Sequence, residues 1–277
     1  MAKKNIIWLA SFPKSGNTWS RVFLGNYLLN RPRPMSLNDI GAISHGDART
    51  DWYKRVAGGE IDPKNDFQTL ALRPKVLAAI TANGADVNLV KSHNQNDVAS
   101  GHVLIPAELS RSAVYFVRNP LDVVLSYAAH FGVSHEGAAK QMADYGNTIG
   151  GNDVQVRQWT GSWSTHVTSW TDKAAFPIHV MRYEDMLDNP TQTFGAMIKA
   201  LGIPLDNARL EKAIQFSSFN QVQAQEKISG FKEKVEGQEQ FFRSGKSEQW
   251  RTELDPALIE RIVNDHGKVM ERYGYLP

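Results

Sequence analysis

A chain of 277 residues with 42% hydrophobic and 22% charged residues has the make-up of a folded globular protein with a sizeable core. Its 31 basic and 29 acidic residues leave a formal net charge of +2, which argues against a general nucleic-acid binder. The absence of cysteine excludes disulfides, a thiol nucleophile and thiolate metal sites, and suits a reducing compartment.

Met1, Ala2, Lys3 and Lys4 precede only a short apolar run, too short for a signal-peptide core, and no apolar run reaches membrane-spanning length. The expectation is a cytoplasmic protein without a membrane partner. No Pro/Gly/Ser-rich linker divides the chain, which is therefore read as one domain over residues 1–277. Charge is uneven. Up to Asn38 the chain carries Lys3, Lys4, Lys14, Arg21, Arg31 and Arg33 and no acid, a local field that suits an anionic ligand.

In chain order, Ile6 to Ala10 is an apolar run that predicts a buried strand. The next residues, S-F-P-K-S-G at 11–16, have loop composition. From Asn17 the spacing of Trp19, Val22, Phe23, Asn26 and Tyr27 predicts a helix, with Asn17 or Thr18 as its cap. A strand, a basic glycine-containing loop and a helix N-terminus make a phosphate-binding corner, where backbone N–H groups and the helix dipole face the anion. Lys14 adds a mobile positive charge. Because Lys14 precedes Gly16, the loop is not a Walker A motif.

Residues 36–63 show no clear period and predict loops and short helices, a segment that suits either the shaping of a ligand pocket or plain surface packing. Pro74 to Asn83 predicts a helix with the proline near its start. Val87 to Lys91 predicts a second strand that delivers Lys91 and His93 at its carboxyl end, where ligands sit in open α/β sheets. The other histidines have no such setting, and His130 and His135 form no zinc pattern. Ser112 to Arg118 predicts a third strand, and Asn119 with Pro120 opens a helix. Arg118 at that strand end and Ser126 two turns into the helix offer a planar donor and a hydroxyl for a second phosphate, a structural ion pair being the other reading of Arg118.

Taken together, these segments resemble the sulfotransferases that use 3′-phosphoadenosine 5′-phosphosulfate. S-F-P-K-S-G-N-T-W at 11–19 is similar to their phosphosulfate loop, and K-S-H at 91–93 to their catalytic histidine strand. V-R-N-P-L-D-V-V-L-S at 117–126 is similar to their 3′-phosphate motif. M-R-Y-E-D-M at 181–186 and R-S-G-K-S-E-Q-W-R at 243–251 complete the order, so the resemblance runs from residue 6 to about 255. It implies that Lys14, Ser15, Gly16, Asn17 and Thr18 hold the 5′-phosphosulfate. It further implies that Trp19 stacks on adenine, that Tyr183 and Ser217 line the adenine site, and that Arg118, Ser126, Arg243, Ser244 and Gly245 meet the 3′-phosphate. His93 is implied as general base, with Lys14 and Lys91 beside it in catalysis. Asn17 stands where Thr is common, Ser244 where Lys is common, and Glu248–Gln249 where Gly–Asp is common. The K-x-x-x-T-V-x-x-x-E dimer motif of animal cytosolic members is missing after Arg251, so the oligomeric state stays open.

Residues 154–171 form a Trp-rich amphipathic stretch read as a core helix after a glycine pair at Gly150 and Gly151. Ile178 to Arg182 predicts a fourth strand. Thr191–Leu201 and Asp206–Phe216 predict helices, and Pro256–Tyr273 a closing helix. Residues 221–242 are polar and glycine-punctuated and predict a mobile loop placed like a lid. The expected fold is a three-layer α/β/α domain with a central parallel sheet. The expected reaction moves a sulfuryl group to a hydroxyl, less readily an amine, of a small molecule, without a metal. The style of the G-S-W…S-W stretch and short tail resembles bacterial natural-product enzymes of this family. Two other readings share the phosphate corner: a small-molecule kinase with Asp185 or Asp122 on magnesium, and a non-enzymatic nucleotide-binding module.

Overall fold

The computed structural model describes residues 4–234 and 238–277. In chain order the elements are β1 (Ile6–Ser11), α1 (Asn17–Leu29), a 3-10 turn (Leu37–Ala42), β2 (His45–Gly46), α2 (Thr50–Ala57) and α3 (Asp66–Thr81). Then come β3 (Asn88–Ser92), β4 (Val98–Ala99), β5 (His102–Val103), β6 (Ser110–Val117), α4 (Pro120–Phe131) and α5 (His135–Ala143). They are followed by β7 (Thr148–Ile149), β8 (Gln158–Trp159), α6 (Trp163–Thr171), β9 (Ile178–Arg182), α7 (Tyr183–Asp188) and α8 (Pro190–Ala200). The chain closes with α9 (Asn207–Phe216), α10 (Phe219–Ser229), α11 (Trp250–Glu253) and α12 (Pro256–Arg272).

The expected α/β fold with a central parallel sheet is present. The sheet runs in the order β2-β3-β1-β6-β9. Its β1–β3 register pairs Leu9 with Lys91 and Ala10 with Ser92, so both strands deliver their next residues at the same sheet end. All six residues of β1 are buried, which explains its uninterrupted apolar reading.

The chain resolves into two compact units. One holds the described residues of Met1–Phe12, Ser44–Tyr115 and Met142–Val180, and the other holds Pro13–Ile43, Phe116–Gln141 and the described residues of Met181–Pro277. In the first unit, α6 seats Trp170 on the sheet residues Trp8 (ring centroids 6.3 Å) and Tyr115 (6.1 Å). Trp8 Nε1 donates to Ser110 Oγ at 2.7 Å, which satisfies the indole in a dry core. In the second unit, Val22, Met35, Leu37, Ile40, Val222, Phe231 and Phe242 form one buried cluster.

Three local readings change. The α3 helix begins at Asp66, capped by Asn65 Oδ1 on the Gln68 N–H at 3.0 Å, and Pro74 lies in its interior. The cap thus overrides the start signal of the proline. The Trp-rich helix begins only at Trp163, where Ser162 caps it. Residues 221–229 lie in α10, with Val222 and Glu226 buried, so this part of the expected loop is helical. Of the rest of that segment, residues 235–237 lie outside the described residues.

Candidate active site

The predicted residues divide between the two units. Lys91 and His93 belong to the first, and the nucleotide-site candidates to the second.

Within the second unit, the loop after β1 turns into α1 through two left-handed residues, Lys14 (φ 68) and Gly16 (φ 97). For an L-residue this conformation costs about 1–2 kcal/mol, and such outliers concentrate where a backbone must face a ligand. Gly16, not Asn17 or Thr18, is the cap residue of α1, and no side chain caps the helix. The Asn17 carboxamide is engaged instead by Arg21 Nε at 3.0 Å. A helix start leaves its first N–H groups without intrahelical partners, so this end suits an anion. A Cβ on Gly16 would sit 2.8 Å from the Tyr183 ring, so the close approach admits only glycine.

Two buried polar atoms at this corner are orphaned among the described residues: Ser15 Oγ and Arg118 Nε. Orphaned buried donors are rare and call for a missing partner. The rest of the Arg118 guanidinium donates to the carbonyls of Lys14 and Lys246, each at 3.2 Å, and lies 4.2 Å from the Tyr183 ring centroid. The donor set, a lysine, a hydroxyl, an arginine and a helix N-terminus, matches phosphate and sulfate oxygens. Ser126 is half-buried on α4. Trp19 donates from Nε1 to the Ser217 carbonyl at 2.7 Å and meets Tyr183 and Phe194 edge to face. The Ser217 hydroxyl turns back to the Ala213 carbonyl at 2.7 Å, so it is the backbone of Ser217 that reaches Trp19.

Arg243 is exposed and lies 3.5 Å from Glu253 and from Gln249. Ser244 and Gly245 follow, and their segment is tied to α4 because Asp122 accepts from the N–H groups of Glu248 (2.7 Å) and Trp250 (3.2 Å). Gly245 has φ 65, and a Cβ there would overlap the ring carbons of Phe219. Gly245→Ala is therefore expected to destabilise the fold by roughly 1–3 kcal/mol. A thermal melt reads this directly, and an unchanged melting temperature would show that Phe219 repacks without cost.

Several residues of this unit escaped the sequence reading. Lys14 Nζ sits 3.9 Å from the centroid of the Phe241 ring. Glu226 accepts from the N–H groups of Phe241 (2.7 Å) and Phe242 (2.9 Å). Arg21, 2% exposed, makes a forked pair with Glu233 at 2.8 and 2.7 Å. Glu184 accepts from the N–H of Asn119, next to Arg118, and from the Tyr275 hydroxyl, while burial pushes its carboxyl pKa up.

Within the first unit, β3 ends at Ser92 and His93 follows at once. His93 Nδ1 lies 2.8 Å from the Ser11 carbonyl, which can only accept. Nδ1 therefore carries a hydrogen, which in the neutral imidazole leaves the lone pair on Nε2. The His93 backbone is held on both sides: its N–H donates to Gln158 Oε1 at 3.3 Å and its carbonyl accepts from His166 Nε2 at 3.1 Å. Lys91, two residues earlier, is half-buried on β3.

The His166 bond to a carbonyl fixes its tautomer too, leaving Nδ1 to accept from the Tyr115 hydroxyl at 2.8 Å. Burial lowers the His166 pKa to about 3. A folded pKa below the unfolded 6.5 gives stability that is complete above pH 6.5 and is lost as pH falls from 6.5 toward 3. Urea titrations are expected to show unfolding free energy falling below pH 6.5, with His166 adding a slope of at most ~1.4 kcal/mol per pH unit. A His166→Gln variant should show a flatter profile. A variant profile as steep as that of the parent would remove His166 from the account.

Comparison with known proteins bears on the family and the fold. The family described as sulfotransferase domain matches residues 4–274. Sulfotransferase 1 family member D1 of Mus musculus is 25% identical over 291 residues, covering 98% of this chain and 85% of that one. Retinol dehydratase, solved with androsterone and the inactive cofactor PAP, superposes with a TM-score of 0.64 at 14% identity, covering 98% of this chain and 82% of that one. The sulfotransferase domain from the curacin biosynthetic pathway gives a TM-score of 0.51 at 16% identity and full coverage of both chains. With the match extending from Lys4 to Gly274 rather than resting on any single motif, the chain belongs to the sulfotransferase family.

Proposed function

We propose that the protein transfers the sulfuryl group of 3′-phosphoadenosine 5′-phosphosulfate to a hydroxyl, less readily an amine, of a small molecule. The observation that carries the donor assignment is the pair of buried donors without a partner among the described residues, Ser15 Oγ and Arg118 Nε, beside a helix start that no described side chain caps. Retinol dehydratase pairs the same fold with PAP and androsterone, which supports a nucleotide and a small-molecule acceptor here. The similarity to a biosynthetic-pathway domain supports a natural-product acceptor, and the cysteine-free chain supports a cytoplasmic setting.

In this reading the reaction breaks the bond between sulfur and the phosphate oxygen and forms one between sulfur and the acceptor oxygen. Charge grows on the departing phosphate oxygen in a loose, in-line transition state. Lys14 and the N–H groups from Gly16 to Thr18 neutralise that charge, with Ser15 on the same group. His93 takes the acceptor proton on Nε2, the nitrogen that the Ser11 contact leaves with its lone pair. Lys91 orients the sulfuryl oxygens. Trp19 and Tyr183 flank the adenine, and Ser217 lines it through its backbone. Arg118, Ser126 and the segment Arg243, Ser244 and Gly245 meet the 3′-phosphate.

The test is transfer of labelled sulfur from the donor to a panel of alcohols, phenols and amines, run with and without a metal chelator. Transfer that survives chelation is expected. Transfer of a labelled phosphoryl group from ATP in its place, lost on chelation, would make the protein a kinase.

A further inference from the structure

The first unit contains a buried ionic network that the proposed chemistry does not use. Asp47, in the turn between β2 and α2, is 1% exposed. Its Oδ2 accepts from three donors: Arg73 Nη2 at 2.6 Å, Ser92 Oγ at 2.8 Å and Asn94 Nδ2 at 3.1 Å. Ser92 and Asn94 are the two residues that flank His93. The same pair is cross-braced, since the Asn94 N–H donates to Ser92 Oγ at 3.1 Å. Asn94 Oδ1 accepts from the N–H of Trp159 at 2.9 Å, and its carbonyl from Trp170 Nε1 at 3.0 Å. Asp47 also donates its own N–H to the Lys91 carbonyl at 3.2 Å.

A buried ion pair is a poor device for stability. Taking two charges out of water costs about as much as their attraction returns, and apolar pairs of similar volume often do as well. The geometry gives this pair a different use. A carboxylate is an acceptor without hydrogens, so one oxygen can hold a serine and an asparagine at once, while Arg73 balances its charge. The Arg73 guanidinium is fixed in turn by the Leu104 carbonyl at 2.8 Å. The residues on both sides of His93 are thereby tied to one buried point, and the histidine has little backbone freedom left.

We propose that Asp47 is a positioning residue for His93, acting through Ser92 and Asn94 to hold the imidazole against the Ser11 carbonyl and so to keep the lone pair on Nε2. This rests on the reading of His93 as the base. A misplacement of about 1 Å in a reacting group costs about 10²-fold in rate, and that is the scale expected when the tie is lost.

The experiment uses the full chain with ring-15N-labelled histidine, the His93 signals being assigned by their loss in His93→Gln. The parent should show one protonated and one unprotonated ring nitrogen for His93. The variant D47L/R73M removes both charges together, so no uncompensated charge is left buried. It should show the two His93 nitrogens averaging toward each other. Turnover with an aliphatic alcohol acceptor should drop about 10²-fold, while affinity for adenosine 3′,5′-bisphosphate stays unchanged. A folded D47L/R73M with the parental nitrogen pattern and parental turnover overturns the proposal. If that variant does not fold, Ser92→Ala and Asn94→Leu decide by the same readouts, parental behaviour in both counting against it. Should His93→Ala keep full turnover, the base reading fails, and the nitrogen pattern of the network variants still judges the positioning role separately.

Discussion

Replacing His93 by alanine is expected to lower turnover by about 10²–10⁴-fold, the usual contribution of a positioned general base. Affinity for adenosine 3′,5′-bisphosphate should stay within a few-fold, since in the proposed mechanism the base meets the acceptor and not the nucleotide. The structural ground is the Nδ1 contact to the Ser11 carbonyl at 2.8 Å, which leaves Nε2 as the basic nitrogen. Lys14→Ala makes the contrast. Lys14 is assigned to the phosphosulfate, so its loss should harm donor affinity and turnover together. The acceptor must be an alcohol of ordinary pKa, because an acidic phenol ionises unaided and hides the need for a base. Near-full turnover of His93→Ala with such an alcohol would make the histidine structural. Calorimetry with the product nucleotide, paired with initial rates, separates the two variants.

What the sequence made legible was local. The strand, loop and helix around Lys14 could be read because each signal lies within a few residues: the apolar run of β1, the glycine at a left-handed position, the spacing along α1. The start of α4 was legible for the same reason, with Asn119 capping Leu121 at 3.0 Å and Pro120 in the first turn. Family resemblance extended the expectation further than spacing could, to Tyr183 and to the segment at 243–245, whose roles remain part of the proposal.

What stayed hidden depends on partners far apart in the chain. Asp47 looks like any loop aspartate until Arg73, Ser92 and Asn94, each tens of residues away, close on it. The α10 helix was masked by its polar surface, because one of its two buried positions is Glu226, whose carboxylate serves the N–H groups of Phe241 and Phe242. A buried acid reads as solvent-facing in any periodicity argument, so the turn it secures is read as loop. The partners of Trp19 likewise come from three later elements: Tyr183 in α7, Phe194 in α8 and the carbonyl of Ser217 after α9.

The second large effect is expected at Arg118. Its Nε is buried and partnerless among the described residues, while Nη1 and Nη2 each donate to one carbonyl, of Lys14 and of Lys246. If Nε is aimed at the 3′-phosphate, Arg118→Ala removes a charge-assisted hydrogen bond worth about 1.5–3 kcal/mol. Affinity for adenosine 3′,5′-bisphosphate should then fall about tenfold or more. The same substitution also releases the Lys14 carbonyl, which shapes the 5′ loop, so some loss for adenosine 5′-phosphate is expected as well. The informative quantity is therefore the ratio of the two losses. A bisphosphate loss at least tenfold larger than the monophosphate loss assigns Arg118 to the 3′-phosphate. Equal losses would mean that the arginine only braces the loop, and that discrimination of the 3′-phosphate must rest on Ser126 and the segment from Arg243 to Gly245. Ser126→Ala, which touches neither carbonyl, provides the control: in the proposed site it should weaken the bisphosphate alone.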